Sequence, residues 1–200
     1  MTRRAQAASF LMLIISSLNC AFPQGASPSE NSKYYPLAKG NVWKYQVKTA
    51  SSAKSSTVEW RVTSTEKDKE GVIYQVWPKP SHSDDEAMML VISPKGIEET
   101  SIGVLVPKSP VVSGERWIST KSTHRRAFRV LSVGQPCHAG IIASEDCLSV
   151  EDEDDGLRFR TVTTYAKGIG PIRYEYFRKN STAARPIQTV ELLSYHLGSM

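Results

Sequence analysis

From residue 40 onward, apolar and polar positions alternate with a period of two. Trp43, Tyr45 and Val47 interleave with Lys44, Gln46 and Lys48, and Val58, Trp60 and Val62 interleave with Glu59, Arg61 and Thr63. Successive side chains of a strand point to opposite faces, so this pattern marks half-buried strands. Val72–Trp77, rich in β-branched and aromatic residues, ends at Pro78 and Pro80, and Ala87–Ile92 is a short, continuously apolar strand. Further strands are predicted over Gly96–Val106, Arg126–Val133, Leu148–Glu151, Leu157–Tyr165, Ile172–Phe177 and Thr189–Leu197. Lys69-Glu70-Gly71, Pro94-Lys95-Gly96 and Asp155-Gly156 carry hairpin-type turn chemistry, the last suited to a type I′ turn, and Gly168-Ile169-Gly170 suits a bend between two strands. Only the region of Ser81–Met88 hints at a helical turn. The expected fold is all-β and mainly antiparallel, a curved sheet, half-barrel or sandwich of about ten strands with few or no helices. The chain leaves no room for the crossover helices that a parallel sheet needs.

Pro36, Gly40 and Trp43 recur at the same spacing as Pro110, Gly114 and Trp117. Proline stiffens the approach, glycine permits a turn, and tryptophan plugs the start of the next strand. The echo fits two related halves, 34–109 and 110–200, or one useful strand-start motif used twice.

The N-terminus changes the compartment. Arg3 and Arg4 precede the apolar run Ala8–Leu18, which is too short to span a bilayer and suits the core of a signal peptide. Residues 1–25 are assigned to this leader, with Ala21 or Ala26 as the small residue at cleavage. Residues 26–33 are read as a flexible lead-in, and 34–200 as a single β domain. Cys20 stands where a bacterial lipoprotein carries its lipidated cysteine, but Ser17-Leu18-Asn19 departs from the usual lead-in. Beyond Cys20 the only cysteines are Cys137 and Cys147, an even pair that is expected to form a disulfide in an oxidising, extracytoplasmic compartment, secreted or periplasmic. A reactive Cys137 beside His138 is disfavoured, because neighbours in a strand point apart.

Charge and motifs exclude more than they assign. The formal charge of +5 falls by two when Arg3 and Arg4 leave with the leader. The densest basic cluster, Lys121, His124, Arg125, Arg126 and Arg129, is too sparse for a nucleic-acid footprint. Glu151-Asp152-Glu153-Asp154-Asp155-Gly156 resembles the start of a calcium loop, but Val162 occupies the position of the bidentate carboxylate; it reads as a charged hairpin tip. His82, Asp84, Asp85 and Glu86 read as an exposed loop rather than metal ligands. No metal or cofactor is expected. There is no Gly-x-Ser-x-Gly or His-Glu-x-x-His motif, and the four histidines, His82, His124, His138 and His196, are scattered. No catalytic residue is assigned. Asn180-Ser181-Thr182 matches a glycosylation acceptor, relevant only in a eukaryotic secretory pathway.

Trp43, Tyr45, Trp60, Trp77 and Phe128, with Phe159, Tyr174 and Tyr176, form a candidate apolar face that is either core or the wall of a ligand cavity. The function this supports is a non-catalytic binding or envelope-assembly module. Its partner would be an envelope protein or an apolar or lipid ligand, with membrane contact only through a lipid on Cys20. The alternatives are a secreted hydrolase with a dispersed site and a structural, partner-binding domain.

The stretch Tyr34–Tyr45 resembles the opening "YFPL..GN.W.Y" of a family of uncharacterised bacterial secreted proteins and lipoproteins. Tyr165–Tyr174 resembles their later "Y..GvG.v.y" turn, and Glu191-Leu192-Leu193 their closing strand. The resemblance implies an all-β envelope domain, similar to curved-sheet lipoprotein carriers, and brings no catalytic residues with it.

Overall fold

The computed structural model describes residues 33–67, 69, 71–79, 87–108, 110–119, 121, 124–179 and 185–198. The expected leader, Cys20, the polar residues His82, Asp84, Asp85 and Glu86, the expected helical turn beginning at Ser81 and the Asn180 acceptor pattern lie outside the described residues.

Twelve strands follow one another: β1 (Val42–Thr49), β2 (Ser55–Lys67), β3 (Val72–Lys79), β4 (Met88–Ser93), β5 (Gly96–Glu99), β6 (Gly103–Pro107), β7 (Arg116–Ser119), β8 (Arg126–Ala139), β9 (Ile142–Asp154), β10 (Phe159–Ala166), β11 (Gly170–Arg178) and β12 (Gln188–His196). They form one sheet in the order β6-β5-β4-β3-β2-β1-β12-β11-β10-β9-β8-β7, with every pairing antiparallel. Each strand pairs with its neighbours in sequence except β6 with β7, and β1 pairs with β12. The two edges are therefore β6 and β7, consecutive in the chain. The sheet is an up-and-down meander rolled into a barrel with one seam.

Side chains close that seam in place of a main-chain ladder. The Trp117 indole of β7 donates to the Val104 carbonyl of β6 at 2.7 Å, and Lys121 pairs with Glu98 at 3.1 Å. Ser119 packs so tightly on Gly103 that a Cβ there would lie 2.2 Å from its Oγ. Both edges are short, and an inward indole takes up one edge carbonyl, which blunts pairing with other chains.

The strand count exceeds the sequence expectation for two reasons. Gly96–Val106, expected as one strand, is the hairpin β5–β6, because Gly103 adopts φ 103° and the chain reverses after Glu99. The four residues of β7 are too few to show a period. Strands β8 and β9 run longer than expected: register shifts after Val130, Val133 and Gln135 absorb Gly134 and Pro136 without ending the pairing. The Asp155-Gly156 turn also differs. Gly156 is not at positive φ, and the connection spans Asp155 to Arg158, held by Asp154 Oδ1 accepting from Gly156 N at 2.8 Å. Glycine is needed there because a Cβ would lie 2.3 Å from the His124 ring.

The two Pro-Gly-Trp segments make the same bonds. Gly40 N donates to Val62 O and Val62 N to Asn41 O, both at 2.9 Å; Gly114 N donates to Val130 O and Val130 N to Glu115 O, also both at 2.9 Å. The glycines share φ values of 90° and 86°. Each tryptophan then donates its indole N–H to a backbone carbonyl at 2.7 Å, Trp43 to Ile169 and Trp117 to Val104.

The barrel turns most of its apolar residues inward and most of its charges outward, the reverse of a lipid-facing barrel. One end is plugged by the segment before β1: Tyr34, Tyr35 and Leu37 are buried, Tyr34 donates to Asp146 at 2.6 Å, and Asn41 Oδ1 accepts from Gly198 N at 2.8 Å. Above this plug lies an aromatic core in which Tyr35 meets Trp43 edge-on and Trp60 packs against both Tyr45 and Tyr174.

Candidate functional site

The opposite end, where β1, β3, β9 and β11 finish, is the mouth. Register and the period of two decide what faces into it. Trp60 lies opposite Trp43 on one side and Pro78 on the other, and Val76 opposite Met88, so these residues share the inner face. Trp60, Val76, Pro78 and Met88 line an apolar pocket of about 210 Å³. On the β10–β12 side, Leu157, Arg158, Phe159, Arg178, Lys179 and Ile187 line an open groove of about 590 Å³. The Phe159 ring, directly opposite Arg178 in the ladder, meets Tyr176 edge-on at 5.6 Å.

Just inside the mouth, on the inner face of β8 and β9, sits a polar cluster. The Arg126 guanidinium binds Asp152 through two bonds, Nε to Oδ1 at 2.7 Å and Nη2 to Oδ2, and lies 5.8 Å from the Phe128 ring centroid. Glu99 approaches from β5. Burial pushes its carboxyl above the usual range, and the hydrogen bond from Ser101 with the charge of Arg126 offsets this only in part. Burial likewise raises the phenols of Tyr35, Tyr45, Tyr165, Tyr174 and Tyr176, so all are neutral hydrogen-bonding groups near pH 7. Tyr45 donates to Pro171 O at 2.9 Å.

The acidic run expected as a hairpin tip spans the end of β9, Glu151 to Asp154, and the turn at Asp155-Gly156, and its faces are divided. Asp152 and Asp154 point inward, whereas Glu151 faces out, pairing with Arg129 at 2.7 Å and Arg160 at 2.8 Å. The basic cluster divides in the same way: Lys121 goes to Glu98, Arg126 to Asp152 and Arg129 to Glu151. Among the described residues no group of three or more His, Cys, Asp or Glu is placed to hold a metal ion.

The candidate apolar face is also divided. Trp43, Tyr45 and Phe128 are core, at 0%, 0% and 3% exposure, and Phe128 stacks on Trp117 at 5.1 Å, away from the other two. Trp60 alone of the five lines the pocket. Trp77 lies opposite Arg61, on the other side of the sheet from Val76, because adjacent strand residues alternate. Cys137 and Cys147 form a disulfide across the β8–β9 hairpin, with Cα atoms 6.1 Å apart. Reading the sequence missed Met88, Pro78 and the Arg126–Asp152 pair, and it missed Arg158 and Arg178 at the rim. Their signal was weak: each is an ordinary residue until a partner strand fixes its face.

No protein-family model and no curated protein matches the chain. Two solved structures are similar to it. One is a candidate exported protein with a YmcC-like fold from Bacteroides fragilis, at 11% identity over 80% of this chain and 97% of that one, with a TM-score of 0.46. The other is a candidate lipoprotein from Parabacteroides distasonis, at 12% identity over 82% of this chain and 98% of that one, with a TM-score of 0.41.

Proposed function

We propose that the chain is an extracytoplasmic, non-catalytic binding module that holds an apolar ligand in the mouth of its barrel. The observation that carries this is the apolar pocket of about 210 Å³ at the unplugged end, walled by Trp60, Val76, Pro78 and Met88. It is smaller than the roughly 300–1,000 Å³ that encloses a drug-sized molecule. It therefore fits the end of a chain, with the rest of the ligand lying along the mouth. The leader-like N-terminus and the Cys137–Cys147 disulfide support the compartment. The engagement of the interior Asp152 carboxylate by Arg126 agrees with a non-catalytic role.

Saturable binding of an alkyl probe tests the proposal, read by native mass spectrometry of protein from its host envelope and by tryptophan fluorescence. Met88→Trp, which fills the pocket, is expected to weaken binding at least tenfold without loss of the β-sheet circular dichroism signal. Absence of co-purifying lipid together with absence of saturable alkyl binding would overturn it.

A further inference from the structure

We propose that the groove at Arg158 and Arg178 receives a phosphate headgroup, so that the ligand of the mouth is a single-chain anionic phospholipid. This rests on the reading of the mouth as an apolar binding site and names the class of molecule it takes.

Charge is the first observation. Arg61, Arg126, Arg129, Arg160 and Arg173 each hold a carboxylate partner. Arg158 and Arg178 hold none among the described residues, and of the arginines without one they are the two that share a groove. Lys179, the third cation there, is already engaged: its Nζ donates to Asp154 O at 2.6 Å and stands 3.5 Å from Glu153. Two guanidinium groups with uncommitted donors on one concavity match the geometry of phosphate, which arginine binds through paired N–H groups.

Shape is the second. The volume of about 590 Å³ far exceeds what a bare carboxylate needs and leaves room for a glycerol unit. The other walls, Leu157, Phe159 and Ile187, are apolar, as the junction between headgroup and acyl chain requires. Continuity is the third. Ile187 O accepts from Ala50 N at 2.8 Å, which sets the groove beside the end of β1, where Val47 packs against the core. From β11 to β2 is three strand spacings, roughly 14–15 Å across the strands, and Trp60, paired with Trp43, stands about six residues along them from the Thr49–Gln188 pair beside the groove, roughly 20 Å, so the path along the inner wall is roughly 25 Å. A long acyl chain lies along that wall toward the Trp60 pocket.

The test compares lauroyl lysophosphatidylglycerol, laurate and monolauroylglycerol below their micellar concentrations, by isothermal titration at low and high salt. The proteins are the mature wild type, R158Q/R178Q and Met88→Trp. Arg158 and Arg178 are exposed and hold no carboxylate among the described residues, so the double variant is expected to fold, checked by circular dichroism. The lysophospholipid is expected to bind wild type about tenfold more tightly than the neutral glyceride. That ratio should fall to about one in R158Q/R178Q and shrink in high salt. Equal affinities in wild type, or a ratio that survives R158Q/R178Q, would overturn the headgroup site while leaving the mouth intact. Laurate binding as tightly as the lysophospholipid would overturn the phosphate class. Loss of all three ligands in wild type would remove the mouth reading and this inference together.

Discussion

Replacing Arg126 by methionine removes the cation from the interior of the barrel and leaves its carboxylates behind. Arg126 and Asp152 keep only 17% and 13% of their side chains in contact with solvent, and two hydrogen bonds join them. Breaking a buried pair by removing one partner costs about 3–5 kcal/mol, because the remaining charge is uncompensated. The residual exposure here places the expected loss near the lower end, about 3 kcal/mol. For a domain of this size that corresponds to a fall in Tm of about 6–12 °C. Glu99 adds a pH signature. Its carboxyl is raised above the ordinary 4.5, so the native chain binds its proton more tightly than the unfolded chain does. Stability therefore falls as pH rises from 4.5 through the native value. Arg126 is one of the groups that hold Glu99 down, so its removal widens that window. The deficit of Arg126→Met is expected to be smaller at pH 5 than at pH 8. Urea unfolding followed by circular dichroism at both pH values measures this, with Arg126→Met/Asp152→Leu as the control that removes both charges and recovers most of the loss. A deficit under about 1 kcal/mol at pH 8, or one that does not narrow at pH 5, would refute the reasoning.

Three further outcomes are expected. Reduction of the Cys137–Cys147 bridge, which spans a sequence separation of 10, should remove about 2–3 kcal/mol and lower Tm by about 4–12 °C, with thermal scans and thiol counts on the leader-less protein as the check. Gly40→Ala and Gly114→Ala should cost about the same, roughly 1–2 kcal/mol each, because both sites are at positive φ and neither added Cβ meets an atom within 4 Å; denaturation midpoints that differ by more than about 1 kcal/mol would mean that the two strand-start motifs carry unequal loads. Burial pushes the Glu191 carboxyl up, but the hydrogen bonds and charges of Arg173 and Lys48 outweigh it and leave its pKa lowered. Its contribution is thus present above the unfolded carboxylate value and lost as pH falls through the folded one, and Glu191→Gln should flatten the acid limb of a pH–stability curve below about pH 5.

What the sequence alone determined is local. The period of two in Trp43–Lys48 and Val58–Thr63 specified strands, because alternation is a property of a single extended segment. The Pro-x3-Gly-x2-Trp spacing marked two strand starts, since proline and glycine act on their own dihedral angles. An even pair of cysteines after a leader-like N-terminus pointed to a bridge without any knowledge of the fold. The tertiary structure decided which face of each strand is inside. Glu151 and Asp152 are adjacent acids of one run, yet one pairs with Arg129 and Arg160 on the outer face and the other with Arg126 in the interior, 26 residues away. Trp60 and Trp77 are equally apolar, yet only the register of β2 against β3 puts Trp60 at the pocket and Trp77 across the sheet. The closure of β1 on β12, and the seam that a four-residue strand completes with an indole hydrogen bond, are likewise long-range pairings. Alternation reports that a strand has two faces; only the neighbouring strands, far away in sequence, determine which of them is closed off from water.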